Sequence, residues 1–124
     1  MIEKNVNTPD SNSKAQLNLS VFNMLKNMFG DSFLGAINNH TNCAKENILR
    51  IESALDNNDA NELEHFAHSL KGASGQFGAM VLSELAEQME QYAKEAELEN
   101  AKELLDEIKT ACNVAEELMM QELK

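Results

Sequence analysis

Apolar residues recur every three or four positions along most of this chain, and short polar stretches separate the segments in which they do so. Near the C-terminus the spacing is Leu104, Ile108, Ala111, Ala115 and Met119, which places these residues on one face of an α-helix. The chain has only one proline and five glycines, a balance that favours helix over sheet. The pattern therefore predicts an all-α protein built from amphipathic helices.

Five segments show this spacing, with short connections between them: around residues 21–29, 34–55, 60–75, 81–92 and 101–119. Ser20 is expected to cap the first helix, and Asp31 or Ser32 the second. Because short connections make successive helices antiparallel neighbours, the predicted fold is an antiparallel up-down-up-down four-helix bundle with a short extra N-terminal helix. Met24, Met28 and Leu34 are expected in its core.

The first 16 residues are rich in Asn, Ser, Asp and Lys, so residues 1–16 are expected to be a flexible tail or linker and residues 17–124 the folded domain. Cys43 and Cys112 have no zinc-site spacing. We expect them to be reduced, semi-buried thiols, although the sequence leaves one disulfide open.

The formal net charge is −11 at pH 7. A surface so acidic repels phosphate backbones and anionic lipids, which argues against nucleic acid and direct membrane contact. No apolar run approaches the roughly 20 residues of a membrane span, and the N-terminus does not resemble a signal peptide. We expect a cytoplasmic monomer, at the inner membrane's cytoplasmic side if it is part of a sensor kinase.

The third helix carries a candidate reactive group. If Leu63, Leu70 and Ser74 face the core, His68 lies on the opposite, exposed face. An exposed imidazole is mostly neutral near pH 7 and has one nucleophilic nitrogen. Lys71 lies one turn further on, where it can reach a phosphoryl group on that imidazole.

Gly72 follows on the same face. A glycine in a helix costs about 1 kcal/mol relative to alanine. We therefore expect this glycine to have a purpose other than helix stability: its missing side chain would let a partner approach the imidazole.

The chain is expected to reverse around residues 77–79, which places His68 near Met89 and Glu90. Met89 faces the core, so Glu90 is the candidate to hold one ring nitrogen and fix the tautomer. Gln88 and Gln91 are rival neighbours.

Residues 68–74, HSLKGAS, followed by Gly78-Ala79, resemble the signature HxLKGxSxxxGA of histidine-containing phosphotransfer (HPt) domains. The resemblance implies that His68 is phosphorylated at Nε2, that Lys71 stabilises the phosphoryl oxygens and that Glu90 hydrogen-bonds the imidazole. It implies a phosphorelay intermediate with no ATP chemistry or cofactor of its own. Response-regulator receiver domains, alone or in a hybrid sensor histidine kinase, are the implied partners, and the receiver supplies the aspartate and the Mg²⁺.

A docking surface for the receiver is expected around His68. It comprises the neighbouring residues of the exposed face: Glu64, His65, Gly72, Gly75 and Gln76. His65 is not part of the signature, and it is either a docking residue or a second, weaker acceptor. His40 and His65 are otherwise expected to be passive surface or boundary residues.

Three other functions are weighed against this reading. The first is a helical adaptor without phosphotransfer, which has no need of the His-Lys-Gly combination. The second is the phosphoacceptor domain of a chemotaxis-type kinase, where a kinase domain donates the phosphoryl group. The third is a di-iron bundle: Glu62-x-x-His65 is one ExxH unit, but no second unit occurs.

Overall fold

The computed structural model describes residues 16–123. Apart from Gln16, the predicted tail therefore lies outside the described residues. Within them the chain forms five α-helices, as predicted: α1 (Leu19–Phe29), α2 (Phe33–Asp56), α3 (Ala60–Gln76), α4 (Met80–Lys94) and α5 (Leu98–Glu122). A short 3₁₀ turn, Gly30–Ser32, joins α1 to α2.

Helices α2 to α5 form the predicted four-helix bundle. Each helix packs against the next one in the chain, and α5 closes the bundle by packing against α2. Helix α1 contacts the start of α2. No helix within residues 16–123 is long and apolar enough to cross a membrane.

Two of the five helices, α1 and α3, begin at a residue whose side chain caps the helix by a hydrogen bond. Asp59 caps α3, where its Oδ1 accepts from the Glu62 amide at 3.1 Å. Asn18, and not Ser20, caps α1, and its Oδ1 accepts from the Val21 amide at 3.2 Å. The prediction for Ser20 was wrong because Asn18 has the extended backbone of a cap, whereas Ser20 is already inside the helix.

The core consists of the apolar stripes of all five helices. Its largest fully buried apolar side chains are Phe22, Ile37, Ile51, Leu63, Leu70, Leu82, Met89, Ile108 and Met119. Helix α2 enters this core through Phe33, whose ring lies 4.9 Å from that of Phe22.

Three residues expected in the core are exposed instead, namely Met24, Met28 and Leu34. Phe22 is the residue that α1 buries, and Met24 and Met28 lie on the opposite side of that helix. Phe33 takes the inward position at the start of α2, so its neighbour Leu34 is turned away from the core.

The α3–α4 hairpin forms a closed end of the bundle with the chain that precedes α1. Gly78 has a positive φ of 80°, and its carbonyl accepts a hydrogen bond from the Asn18 amide at 2.7 Å. A Cβ at Gly78 would lie 2.9 Å from the Asn18 carbonyl oxygen. Glycine is therefore required here both by the backbone conformation and by the close approach.

His40 is packed at the same end and is only 7% exposed, which corrects the expectation of a surface or boundary residue. It occupies the core stripe of α2 between Ile37 and Ala44, and its ring stacks on Phe77 with 4.2 Å between the centroids. Burial lowers the pKa of His40 to about 4. His40 is therefore a neutral core residue near pH 7.

The two cysteines are not joined. Cys43 is exposed and Cys112 is buried, and both are free thiols. Burial raises the pKa of Cys112, which keeps this thiol protonated and inert.

Candidate functional site

His68 lies in the middle of α3 on the face that points away from the core. Leu63, Ala67, Leu70 and Ser74 occupy the buried face, and the side chain of His68 is 67% exposed. The amphipathic pattern of the helix therefore presents this imidazole to solvent.

The α3–α4 hairpin brings Glu90 to His68. The imidazole Nδ1 lies 3.0 Å from Glu90 Oε2, and the Glu90 side chain is only 8% exposed. Of the rival neighbours, Gln88 is exposed, and Gln91 donates a hydrogen bond to Glu95. The residue that faces the imidazole is thus the carboxylate.

Two lysines also surround this carboxylate. Lys71 Nζ lies 2.8 Å from Glu90 Oε1, and Lys94 Nζ lies 3.7 Å from Oε2, the oxygen that contacts His68. A nearly buried carboxylate is stable only when charged or polar partners replace water. Glu90 has three such partners on two helices.

The titration of this cluster follows from the same contacts. Burial alone would raise the pKa of Glu90, but the hydrogen bonds from Lys71 and His68 and their charges outweigh it and hold this pKa below its ordinary value. The hydrogen bond with Glu90 correspondingly raises the pKa of Lys71. Near pH 7 Glu90 is therefore ionised and Lys71 is charged.

The ionised carboxylate determines which ring nitrogen of His68 is reactive. An ionised carboxylate only accepts hydrogen bonds, so Nδ1 carries the proton and donates it to Glu90. In a neutral imidazole Nε2 then has the free lone pair, and an exposed, unprotonated Nε2 can act as a nucleophile.

The small residues beside His68 keep this face open. Gly72 is exposed, and a Cβ placed there would meet nothing within 4 Å. Packing within the bundle does not require a glycine at this position. What Gly72 leaves free is the space above the helix, next to the imidazole.

The expected docking residues lie along this face, but not all are equally accessible. His65, Gly72 and Gln76 are exposed, whereas Glu64 and Gly75 are half-buried. Gly75 is covered by α4, because a Cβ there would be 3.5 Å from Ser83 Oγ.

Sequence reasoning missed two residues of this region. The hydroxyl of Ser83 donates to the Lys71 carbonyl at 3.0 Å and so ties α4 to the turn of α3 that carries Lys71. Lys94 lies one turn after Glu90 on α4. The antiparallel register that pairs His68 with Glu90 also pairs Gly75 with Ser83, and would have indicated Ser83 as a residue that faces α3. The four-residue spacing from Glu90 would have indicated Lys94 as a neighbour of that carboxylate.

Within residues 16–123 no group of three or more His, Cys, Asp or Glu side chains is arranged to hold a metal ion. His65, the histidine of the ExxH unit, instead makes an edge contact with Phe66 at a centroid distance of 4.8 Å.

This geometry agrees with comparisons to known proteins. The Hpt domain family model matches residues 43–118, which is more than half of the chain and includes both His68 and Glu90. The chain belongs to the Hpt domain family and is a histidine phosphotransfer module.

A solved structure supports the same assignment. Histidine-containing phosphotransfer protein B (HptB) from Pseudomonas aeruginosa PAO1 is similar to this chain, with a TM-score of 0.83 and 27% sequence identity over 86% of this chain and 93% of HptB. No protein of curated function matches.

Proposed function

We propose that His68 Nε2 accepts a phosphoryl group from the aspartyl phosphate of one receiver domain and passes it to the aspartate of another. The observation that carries this proposal is the exposed imidazole whose Nδ1 lies 3.0 Å from the nearly buried Glu90. That contact directs the lone pair of the ring towards solvent, where a partner can approach.

In the transfer step Nε2 attacks the phosphorus atom. An N–P bond forms while the bond between phosphorus and the aspartate oxygen breaks, and the aspartate leaves as a carboxylate. Glu90 stabilises the proton that remains on Nδ1, so the positive charge that develops on the ring is balanced nearby. The return step to a second aspartate reverses the same bond changes.

Lys71 and the receiver supply the remaining charge stabilisation. Lys71 lies one helical turn from His68, on the side of Glu90, and we assign it to the phosphoryl oxygens. The Mg²⁺ is expected in the receiver, and this chain is proposed to need no cofactor. We propose that it is a phosphocarrier rather than a kinase, and that it acts as a monomer in the cytoplasm, or on the cytoplasmic side of the inner membrane if it is part of a sensor kinase.

Docking is proposed to use the exposed part of α3. The proposed surface comprises Glu64, His65, Gly72, Gly75 and Gln76, of which Glu64 and Gly75 are half-buried at its border. A transient complex with a modest buried area suits a carrier that must release each partner. Free-standing carriers and modules of hybrid kinases would use the same surface.

The test is phosphoryl transfer from a phosphorylated receiver in the presence of Mg²⁺. We expect acid-labile, alkali-stable label on the wild type and on His65→Gln, and none on His68→Gln. His65→Gln is the matched control, since His65 is an exposed histidine on the same helix. Label that persists on His68→Gln would mean that another histidine is the phosphoryl acceptor. No label on the wild type with several receivers would favour an adaptor or a module phosphorylated by a kinase domain.

A further inference from the structure

Glu90 has more cationic partners than a fixed hydrogen bond to His68 requires. Lys71 contacts Oε1 at 2.8 Å, while His68 and Lys94 share Oε2 at 3.0 and 3.7 Å. The Lys71 side chain is 30% exposed and that of Lys94 is 50% exposed. In the unphosphorylated protein, Lys71 is thus both the more buried of the two lysines and the one closer to the carboxylate.

Phosphorylation changes what Lys71 has to contact. A phosphoryl group on Nε2 adds about two negative charges to the side of the ring that faces away from Glu90. If Lys71 turns towards the phosphoryl oxygens, it must lengthen or give up its 2.8 Å contact with Glu90. A nearly buried carboxylate that loses one of its charged partners is destabilised unless another partner compensates.

Lys94 is placed to prevent this loss. It is the last residue of α4, one turn beyond Glu90, and its Nζ already lies 3.7 Å from the carboxylate. Lysine has a long, flexible side chain and a compact charge, so a small movement is enough to shorten this contact.

We propose that Lys94 is a positioning residue for the transfer reaction, which neutralises Glu90 while Lys71 serves the phosphoryl group. This inference rests on the proposed function. Lys94 acts through Glu90 and does not touch the phosphoryl group. It extends the site to a residue that the signature around His68 does not include.

One part of the test measures transfer. Lys94→Met should slow phosphorylation of His68 by a receiver about twofold to fivefold, the range expected for a partly exposed ion pair, and Lys94→Arg should restore the rate. The matched control is Lys102→Met, which removes another half-exposed lysine paired with a nearby glutamate of its own helix, Glu99. This control should transfer at the wild-type rate.

The other part does not depend on transfer. In Lys71→Met, which imitates the departure of Lys71, the titration of the Glu90 carboxyl is followed by NMR with and without Lys94. We expect Lys94→Met to raise the midpoint of Glu90 in this background, and by more than it does when Lys71 is present.

The outcomes separate the two proposals. Either an unchanged midpoint for the titration of Glu90 or a wild-type transfer rate for Lys94→Met would overturn the role of Lys94. This includes the case in which Lys94→Met lowers thermal stability alone, because Lys94 would then only stabilise the end of α4. A wild type that accepts no label would overturn the proposed function, and with it the role in transfer, whatever the titration shows.

Discussion

The open face of α3 and the closed hairpin end of the bundle each contain a histidine and a glycine, and the two regions use them in opposite ways. The side chain of His68 is 67% exposed and faces an ionised carboxylate, whereas His40 is 7% exposed and stacked on Phe77. Burial with an aromatic neighbour keeps an imidazole neutral, while a carboxylate partner determines which ring nitrogen carries the proton. The same side chain is therefore structural in one place and suited to transfer in the other.

The glycines differ in the same sense. Gly78 is required by a positive φ of 80° and by the carbonyl of Asn18. Gly72 has helical geometry and open space around it, so a larger residue would fit and the helix would be more stable with one. The closed end thus requires its glycine, whereas the open face has a glycine that packing does not require; we propose that access to His68 is its purpose.

The largest expected effect concerns the buried histidine. The pKa of His40 falls from 6.5 to about 4 on folding, so the unfolded chain binds a proton that the folded chain does not. The free energy of unfolding should therefore decrease as the pH falls below about 6.5, by about 2 kcal/mol between pH 7 and pH 5 and by about 3 kcal/mol once the pH is below 4. Urea denaturation at several pH values measures this loss.

The comparison needs a variant without the buried imidazole. His40→Leu should remove that share of the pH dependence, while His65→Gln controls for the loss of an exposed imidazole. The range above pH 5 avoids the titration of Glu90, whose lowered pKa gives stability that disappears only at more acidic pH. If the free energy of unfolding of His40→Leu fell with decreasing pH as steeply as that of the wild type, the closed end would not exclude the charged form of His40.

A smaller loss is expected at the hairpin itself. Gly78→Ala should lower the free energy of unfolding by about 1 to 3 kcal/mol, because a side chain is strained at this φ and its Cβ would lie 2.9 Å from a backbone oxygen. Thermal or urea denaturation checks the change, and the folded fraction should still accept a phosphoryl group. Unchanged stability would mean that the contact with Asn18 is easily displaced.

The sequence predicted the open face better than the closed end, for physical reasons. Helical spacing and the position of the hairpin place His68 opposite Glu90 without knowledge of the side-chain geometry. His40 shares the core stripe of α2 with Ile37 and Ala44, but its burial also depends on how α2 packs against Phe77, which a pattern along one helix does not contain. The four-residue spacing of Lys94 from Glu90 was available in the sequence, but the contact matters only once Glu90 is known to be nearly buried. The roles of these residues in transfer remain predictions.

The smallest change in stability, and the one that most directly separates the two regions, is expected at Gly72. Gly72→Ala should raise the free energy of unfolding by up to about 1 kcal/mol, since alanine is the better helix residue and meets no neighbour. Gly35→Ala is the matched control: Gly35 is a helical glycine with open space in α2, so it should give a gain of the same sign.

Gly72→Leu should keep the fold but slow transfer from a receiver at least about tenfold, the equivalent of about 1.4 kcal/mol in the barrier, because its side chain occupies the approach to His68. Transfer by Gly72→Leu at the wild-type rate would show that access to the imidazole does not explain this glycine. Gly72 and Gly78 would then still differ in packing, but not in function.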